Sequence, residues 1–216
     1  PTPSSAASDV YKRQLIDLAV SFSFGYILGS IPFGFVLVYL AKSQDIRTIG
    51  SGNIGATNVL RSGSKELAFL TLILDALKGT IAFFIVCLWL PPESAALAGF
   101  GSVVGHCFPV WLRFAGGKGV ATGMAVITVV VPFTGLVMAV TWLLVAAFTR
   151  ISSLSALLSF VTAGLFVSFG PFENSGIAQI TVWGVGLLCW ARHKQNIHRI
   201  LSGEESKISF TRKPSN

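Results

Sequence analysis

"VVVPFTG", residues 129–135, interrupts the longest apolar run of the chain, which extends from residue 120 to residue 148. Proline carries no amide proton and disfavours a helical residue before it, so this stretch is expected to break between two shorter helices or a re-entrant pair. The other apolar runs cover residues 15–40, 67–90, 94–112, 154–169 and 177–190. A segment of about 20 apolar residues is the length that crosses a bilayer core as helix. Taken as one crossing, 120–148 would give six spans and divide the basic residues between the two faces. Taken as two segments, it gives seven. One face then collects Lys42, Arg47, Arg61, Lys65, Arg113, Lys118, Arg150, Arg192, Lys194, Arg199, Lys207, Arg212 and Lys213, and the other only Lys12 and Arg13. That asymmetry makes the crowded face cytoplasmic and leaves "PPES" (91–94) and "PFENSG" (171–176) outside. The expected fold class is all-α: a polytopic integral membrane protein with seven transmembrane helices, some short or re-entrant.

Composition agrees with that class. The chain has 216 residues, of which 52% are hydrophobic and only 12% charged, with a mean hydropathy of +0.71. Its net charge of +7 would suggest nucleic acid in a soluble protein, but these cations flank apolar spans, so no nucleic-acid partner is expected. Cys87, Cys107 and Cys189 are odd in number and lie in or beside apolar segments, which implies no disulfide framework. The acidic residues are too dispersed for a metal cage, and neither metal nor other cofactor is expected. Residues 1–14 are polar and lack the apolar stretch of a signal peptide, so they are expected to be a lead-in outside the fold. Residues 209–216 read as a flexible basic tail, leaving 15–208 as one membrane-embedded domain.

Three polar stretches would then share one face. In "GSGNIGATNVLR" (50–61), Gly50, Gly52 and Gly55 permit positive φ and close backbone approach to a ligand. Ser51, Asn53, Thr57 and Asn58 add side-chain hydrogen-bonding groups, and Arg61 adds a charged fork suited to phosphate. The density of donors exceeds what a plain interfacial turn needs. In "GHCFPVWLRFAGGKGVATG" (105–123), Lys118 sits among Gly116, Gly117 and Gly119 just before a helix, where free amides and the helix dipole favour an anion. By itself this could equally be a turn with a snorkelling lysine, and His106 a hydrogen-bonded structural histidine. In "ARHKQNIHRILSGEESKI" (191–208), His193, Asn196 and Arg199 recur every three residues and would share a helix face, although a basic amphipathic helix lying on lipid reads alike. Inside a span, Asp75 and Lys78 in "LILDALKGT" stand at i, i+3, where charge is expensive unless paired or facing a polar cavity. Arg150, Ser152 and Ser153 open another span on the same face.

These stretches, with "GSIPFG" (29–34) and "SSLSA" (152–156), resemble the bacterial acyl-phosphate:glycerol-3-phosphate acyltransferases, the PlsY family, over essentially all of 15–208. The resemblance implies an enzyme of the bacterial inner membrane with seven helices and its motif loops and C-terminus on the cytoplasmic side. It implies transfer of a fatty acyl group from acyl phosphate to the 1-hydroxyl of sn-glycerol 3-phosphate, giving lysophosphatidic acid and inorganic phosphate, the first step of phospholipid synthesis. The family's motif-1 serine and arginine fall on Ser51 and Arg61, its motif-2 glycines and lysine on 116–119, and its motif-3 histidine, asparagine and glutamate on His193, Asn196 and Glu205; its later serine matches Ser153. Glu204 stands where the family often has threonine.

On this basis Ser51, Arg61, His193 and Asn196 are the expected catalytic residues. Gly50, Ser51, Gly52, Asn53, Thr57 and Asn58 would hold the acyl phosphate. Arg61, Gly116, Gly117, Lys118, Gly119, Ser153, His193 and Asn196 would hold glycerol 3-phosphate, and Asp75, Lys78, His106 and Glu205 would support them. No HxxxxD dyad occurs at any histidine, and either His193 or a substrate phosphate oxygen would receive the hydroxyl proton. Two other classes fit parts of the pattern: a transporter for a phosphate-bearing anion, against which no internal repeat is found, and an assembly factor holding lipid through its basic tail.

Overall fold

The computed structural model describes residues 3–171 and 176–208. Every regular element among them is helical: α1 (Pro3–Gly29), α2 (Phe33–Lys42), α3 (Ala56–Arg61), α4 (Lys65–Cys87), α5 (Pro92–Cys107), α6 (Val120–Val130), α7 (Pro132–Thr149), α8 (Ser152–Phe169), α9 (Gly176–Arg192) and α10 (Lys194–Leu201), with short 3-10 turns at Ile46–Thr48 and Val110–Leu112. Five stretches among the described residues are long and apolar enough to cross a membrane: Ala7–Lys42, Lys65–Cys87, Pro92–Leu112, Pro132–Thr149 and Ser152–Phe169. α6, with 11 residues, and α9, with 17, are shorter.

The expected break at Pro132 is present. α6 ends at Val130, Val131 adopts φ −140°, ψ 86°, and Pro132 opens α7, where its missing amide proton costs nothing. Two expectations need correction. The run 15–40 is not one helix, because the chain leaves helical geometry at residues 30–32 and restarts at Phe33. Residues 1–14 were expected to lie outside the fold, yet α1 runs without interruption from Pro3; the Ala- and Ser-containing sequence costs little helix propensity. Of the expected outer connector 171–176, residues 172–175 lie outside the described residues, as does the tail 209–216.

α1 and α5 pack through small residues. Side chains at Gly25 and Gly29 would run into the backbone of Ala98 and Ser102, and side chains at Gly101 and Gly105 into the carbonyls of Phe22 and Tyr26. In hydrocarbon, where apolar burial gives little drive between helices, close backbone approach of this kind supplies the attraction. Tyr26 Oη then donates to the Phe108 carbonyl at 2.9 Å, fixing the end of α5. α4 begins on Ser64, whose hydroxyl accepts from the Leu67 amide at 3.2 Å, with Glu66 in the first turn.

A main apolar core joins α5 to α9 around Val103, Ile127, Met138, Phe160, Val182 and Val185. A smaller core of Val38, Ile46, Ile54, Val59 and Leu112 lies under residues 46–61. Large apolar side chains also stand exposed in helical register, such as Leu136, Val140, Leu143 and Leu144 on α7 and Phe69, Ile73, Leu77, Ile81 and Phe84 on α4. Such faces suit lipid.

Candidate functional site

The first polar stretch folds around one side chain. Asn58, 2% exposed, donates through Nδ2 to the carbonyls of Ile46 (3.1 Å), Ile49 (2.9 Å) and Asn53 (2.8 Å). Its Oδ1 accepts from the Ser51 amide (2.9 Å) and the Ser51 hydroxyl (3.2 Å). Gly50 and Gly52, at φ +55° and +70°, let the loop close on this hub. The Ser51 and Gly52 amides are therefore spent inside the loop, the latter on Ile49. Asp45 braces the approach by accepting from the Arg47 amide and side chain, and those bonds hold its carboxyl below the usual carboxylate range.

The second stretch is clamped from two sides. The Gly117 amide donates to the His106 carbonyl at 3.0 Å. Arg192, at the end of α9, donates through Nε to the Gly117 carbonyl and through Nη2 to that of Gly116, each at 3.1 Å, while its guanidinium lies 4.9 Å from the Phe108 ring centroid. Side chains at Gly116 and Gly117 would overlap the His106 carbonyl and imidazole, and Gly119 turns into α6 at φ +78°. These glycines stand behind the site and aim Lys118 forward.

The third stretch departs from one continuous helix. His193 sits at the corner between α9 and α10, with φ −93°, ψ 7°, where it caps α10 by accepting from the Ile197 amide at 2.9 Å. The corner nonetheless turns His193 and Asn196, each 3% exposed, toward the same interior. The histidine's Nδ1–H donates to the Cys189 carbonyl at 2.6 Å, which leaves Nε2 with its lone pair. Burial pushes the imidazole down to about 4, against the pull of that bond, so it is neutral at pH 7. Glu205 returns as a hub: Oε1 accepts from Ser153 (2.8 Å) and Asn196 (2.6 Å), and Oε2 from Arg199 (2.7 Å). Desolvation would raise its pKa, but these three donors outweigh it and hold the group ionised. Among the described residues, Asn196 Oδ1 is buried without a hydrogen-bond partner.

All three stretches line one cavity of about 410 Å³. Its polar end carries Ser51, Asn53, Thr57, Arg61, Lys118, Ser153, His193 and Asn196, floored by Asp75 and His106; Asn58 and Glu205 reach it as braces. Its apolar arm runs along Leu72, Met124, Ala139, Trp142 and Leu143. Gly50, Gly52, Gly116, Gly117, Gly119 and Lys78 shape the walls without lining them. The carboxylates are neutralised, Asp75 by Lys78 at 2.9 Å and Glu205 by Arg199. Arg61 and Lys118 have no carboxylate partner among the described residues. Burial pushes Lys118 down to about 8, with Glu205 pulling the other way. The polar end thus holds an excess of positive charge beside an apolar channel.

Three contributors were not singled out by sequence. Arg192 was counted only as a basic residue. Ser206, whose hydroxyl accepts from Arg61 Nη2 at 2.6 Å, and Trp142 depend on contacts between distant segments. The run "ARH" placed Arg192 beside a marked histidine, the only hint available.

The sequence profile of the family described as glycerol-3-phosphate acyltransferase matches residues 19–203. A glycerol-3-phosphate acyltransferase of Sinorhizobium medicae is 51% identical over 185 residues, covering 86% of this chain and 89% of the relative. One from Gluconobacter oxydans is 48% identical over 202 residues, covering 92% and 95%. Among solved structures, the glycerol 3-phosphate form of PlsY, an integral membrane glycerol 3-phosphate acyltransferase, superposes with a TM-score of 0.82 at 36% identity over 89% of this chain and 96% of that one. Its lysophosphatidic acid form gives 0.79 at 34%. With most of its length matched in sequence and in backbone, this chain belongs to the glycerol-3-phosphate acyltransferase family.

Proposed function

We propose that the cavity transfers a fatty acyl group from acyl phosphate to the 1-hydroxyl of sn-glycerol 3-phosphate, releasing lysophosphatidic acid and phosphate. The observation that carries this reading is the junction of two unpaired cations, Arg61 and Lys118, with an apolar arm inside one cavity. Both substrates bring phosphate to the cations, and the donor and product bring an acyl chain to the arm. Solved relatives carry glycerol 3-phosphate and lysophosphatidic acid in their two forms, the acceptor and product of this reaction.

Acyl phosphate is already activated, so the protein's task is alignment and charge stabilisation. Proximity contributes about 7–11 kcal/mol in well-oriented cases, and preorganised donors several more. Ser51, Asn53 and Thr57 hold the acyl phosphate; Arg61, Lys118 and Ser153 hold glycerol phosphate. His193 Nε2 and Asn196 Oδ1 are acceptors that orient the attacking hydroxyl. As that oxygen bonds to the acyl carbon, the carbon–oxygen bond to phosphate breaks. A histidine held near 4 is a weak base, whereas the group released is inorganic phosphate, whose newly freed oxygen is far more basic. The departing phosphate is therefore the better final home for the proton.

In the membrane, α1 with α2, α4, α5, α6, α7, α8 and α9 make seven passes. α6 is short, about 16 Å long, and its outer half is completed by the turn at Val131. The basic loops and the C-terminus face the cytoplasm of a bacterial inner membrane. Residues 15–208 form one acyltransferase domain that needs no cofactor. Purified protein given acyl phosphate and labelled glycerol 3-phosphate should form labelled lysophosphatidic acid and phosphate in equal amounts. Uptake of the label into liposomes without product would replace the enzyme with a transporter.

A further inference from the structure

His106 belongs to a buried cluster that the reaction scheme above does not use. Lys78 Nζ lies 2.9 Å from Asp75 Oδ1, 3.0 Å from the Ile31 carbonyl and 2.9 Å from His106 Nδ1. It also stands 5.8 Å from the Phe33 ring centroid. The cluster joins α4 and α5 to the break after α1, and Thr122 of α6 closes it by donating to the Asp75 carbonyl at 2.7 Å. Paired with Asp75, the lysine is an ammonium, which only donates. His106 Nδ1 must then accept, and the single ring proton of the neutral imidazole goes to Nε2.

Nε2 has no hydrogen-bond partner among the described residues, although His106 is only 4% exposed and lines the cavity. Gly117 packs closely against this nitrogen, and a side chain at position 117 would fall directly on Nε2. His193 has the opposite arrangement: its Nδ1–H is tied to Cys189, so its Nε2 accepts. Two neutral histidines thus face one cavity, one as donor and one as acceptor.

We propose, resting on the acyltransferase reading, that His106 is a substrate-contacting residue whose Nε2–H, oriented by Lys78, donates to a phosphoryl oxygen of a bound substrate. A neutral donor suits this floor position because Asp75 lies just behind it, 3.5 Å from His106 Nδ1, and the Lys78–Asp75 pair is already balanced. The phosphoryl group comes from either glycerol 3-phosphate or acyl phosphate, which share this chemistry.

The test compares His106→Asn with His106→Gln in the full-length purified protein. Asparagine keeps an acceptor for Lys78 near the Nδ1 position but has nothing at Nε2; glutamine carries an amide donor out to that position. We expect His106→Asn to lower kcat/KM about 10²-fold or more, and His106→Gln to recover at least tenfold of that loss. The substrate whose KM rises identifies the phosphoryl group contacted. The second measurement is imidazole nitrogen-15 NMR, tractable because the chain has three histidines, His106, His193 and His198. It should show His106 protonated at Nε2 and His193 at Nδ1, with Lys78→Met removing the His106 preference. The proposal fails if His106→Asn stays within threefold of the unmodified protein for both substrates, if glutamine recovers nothing, or if His106 carries its proton on Nδ1. Activity of the unmodified protein in the same assay tests the acyltransferase reading separately.

Discussion

At the level of single residues, charge and its cost settle who does what. Burial weakens the Lys118 cation, so its protonated fraction should limit glycerol 3-phosphate binding. Its pKa is lowered to about 8, which means the charged form dominates below that pH and is lost above it. kcat/KM for glycerol 3-phosphate should therefore fall as pH rises through about 8, and Lys118→Arg should move that limb to higher pH. Lys118→Met should raise KM for glycerol 3-phosphate ~10- to 100-fold, the worth of a charge-assisted hydrogen bond; steady-state kinetics at pH 7 checks it. Asn58 and Ser51, seven positions apart, should behave differently. Asn58→Ala leaves the Asn53 carbonyl without its donor, at a cost of about 1–3 kcal/mol, and takes a second donor from the carbonyls of residues 46 and 49, which keep their backbone bonds from Ile49 and Gly52; it should lower the thermal midpoint along with activity. Ser51→Ala removes one exposed hydroxyl, leaves the amide bonded to Asn58, and should lower kcat at an unchanged midpoint.

Between elements, the account depends on clamps that no local pattern announces. Arg192 ties the end of α9 to the backbone at 116 and 117. Arg192→Met should release that loop and raise KM for glycerol 3-phosphate about tenfold while Lys118 itself is intact. An unchanged KM would remove the clamp from the account. The break at Pro132 was legible because proline acts locally, through its missing proton and its clash with the preceding residue. The restart at Phe33 was not read although Pro32 carries the same local signal, because "GSIPFG" lies inside an apolar run; Lys78 on the Ile31 carbonyl adds a bond from afar. Helix was expected to run through His193, Asn196 and Arg199, but α9 ends just before His193, which caps α10. His193 and Asn196 meet through a corner instead. Asn58 was legible as a polar residue in a dense motif, but its role as the loop's hub depends on carbonyls five to twelve residues away.

Over the whole molecule, small-residue packing of α1 on α5 supports the loops, and apolar side chains of α4, α6 and α7 line the cavity beside its polar residues. Gly101→Leu would force α1 off α5 at the Phe22 carbonyl and should lower the yield of folded protein in detergent, read by size-exclusion chromatography. Ala139→Trp would fill the arm beside Trp142 and Leu143 without touching a polar residue of the site. It should cut kcat/KM for long-chain acyl phosphates at least tenfold more than for short-chain ones. The central claim is that segments from opposite ends of the chain hold the acceptor in one cavity. The most direct test is a structure of this protein with glycerol 3-phosphate bound. The account predicts its phosphate against Lys118 and Arg61, with the 1-hydroxyl within hydrogen-bond distance of His193 Nε2. Glycerol 3-phosphate seated away from Lys118, or with its 1-hydroxyl turned from His193, would contradict it.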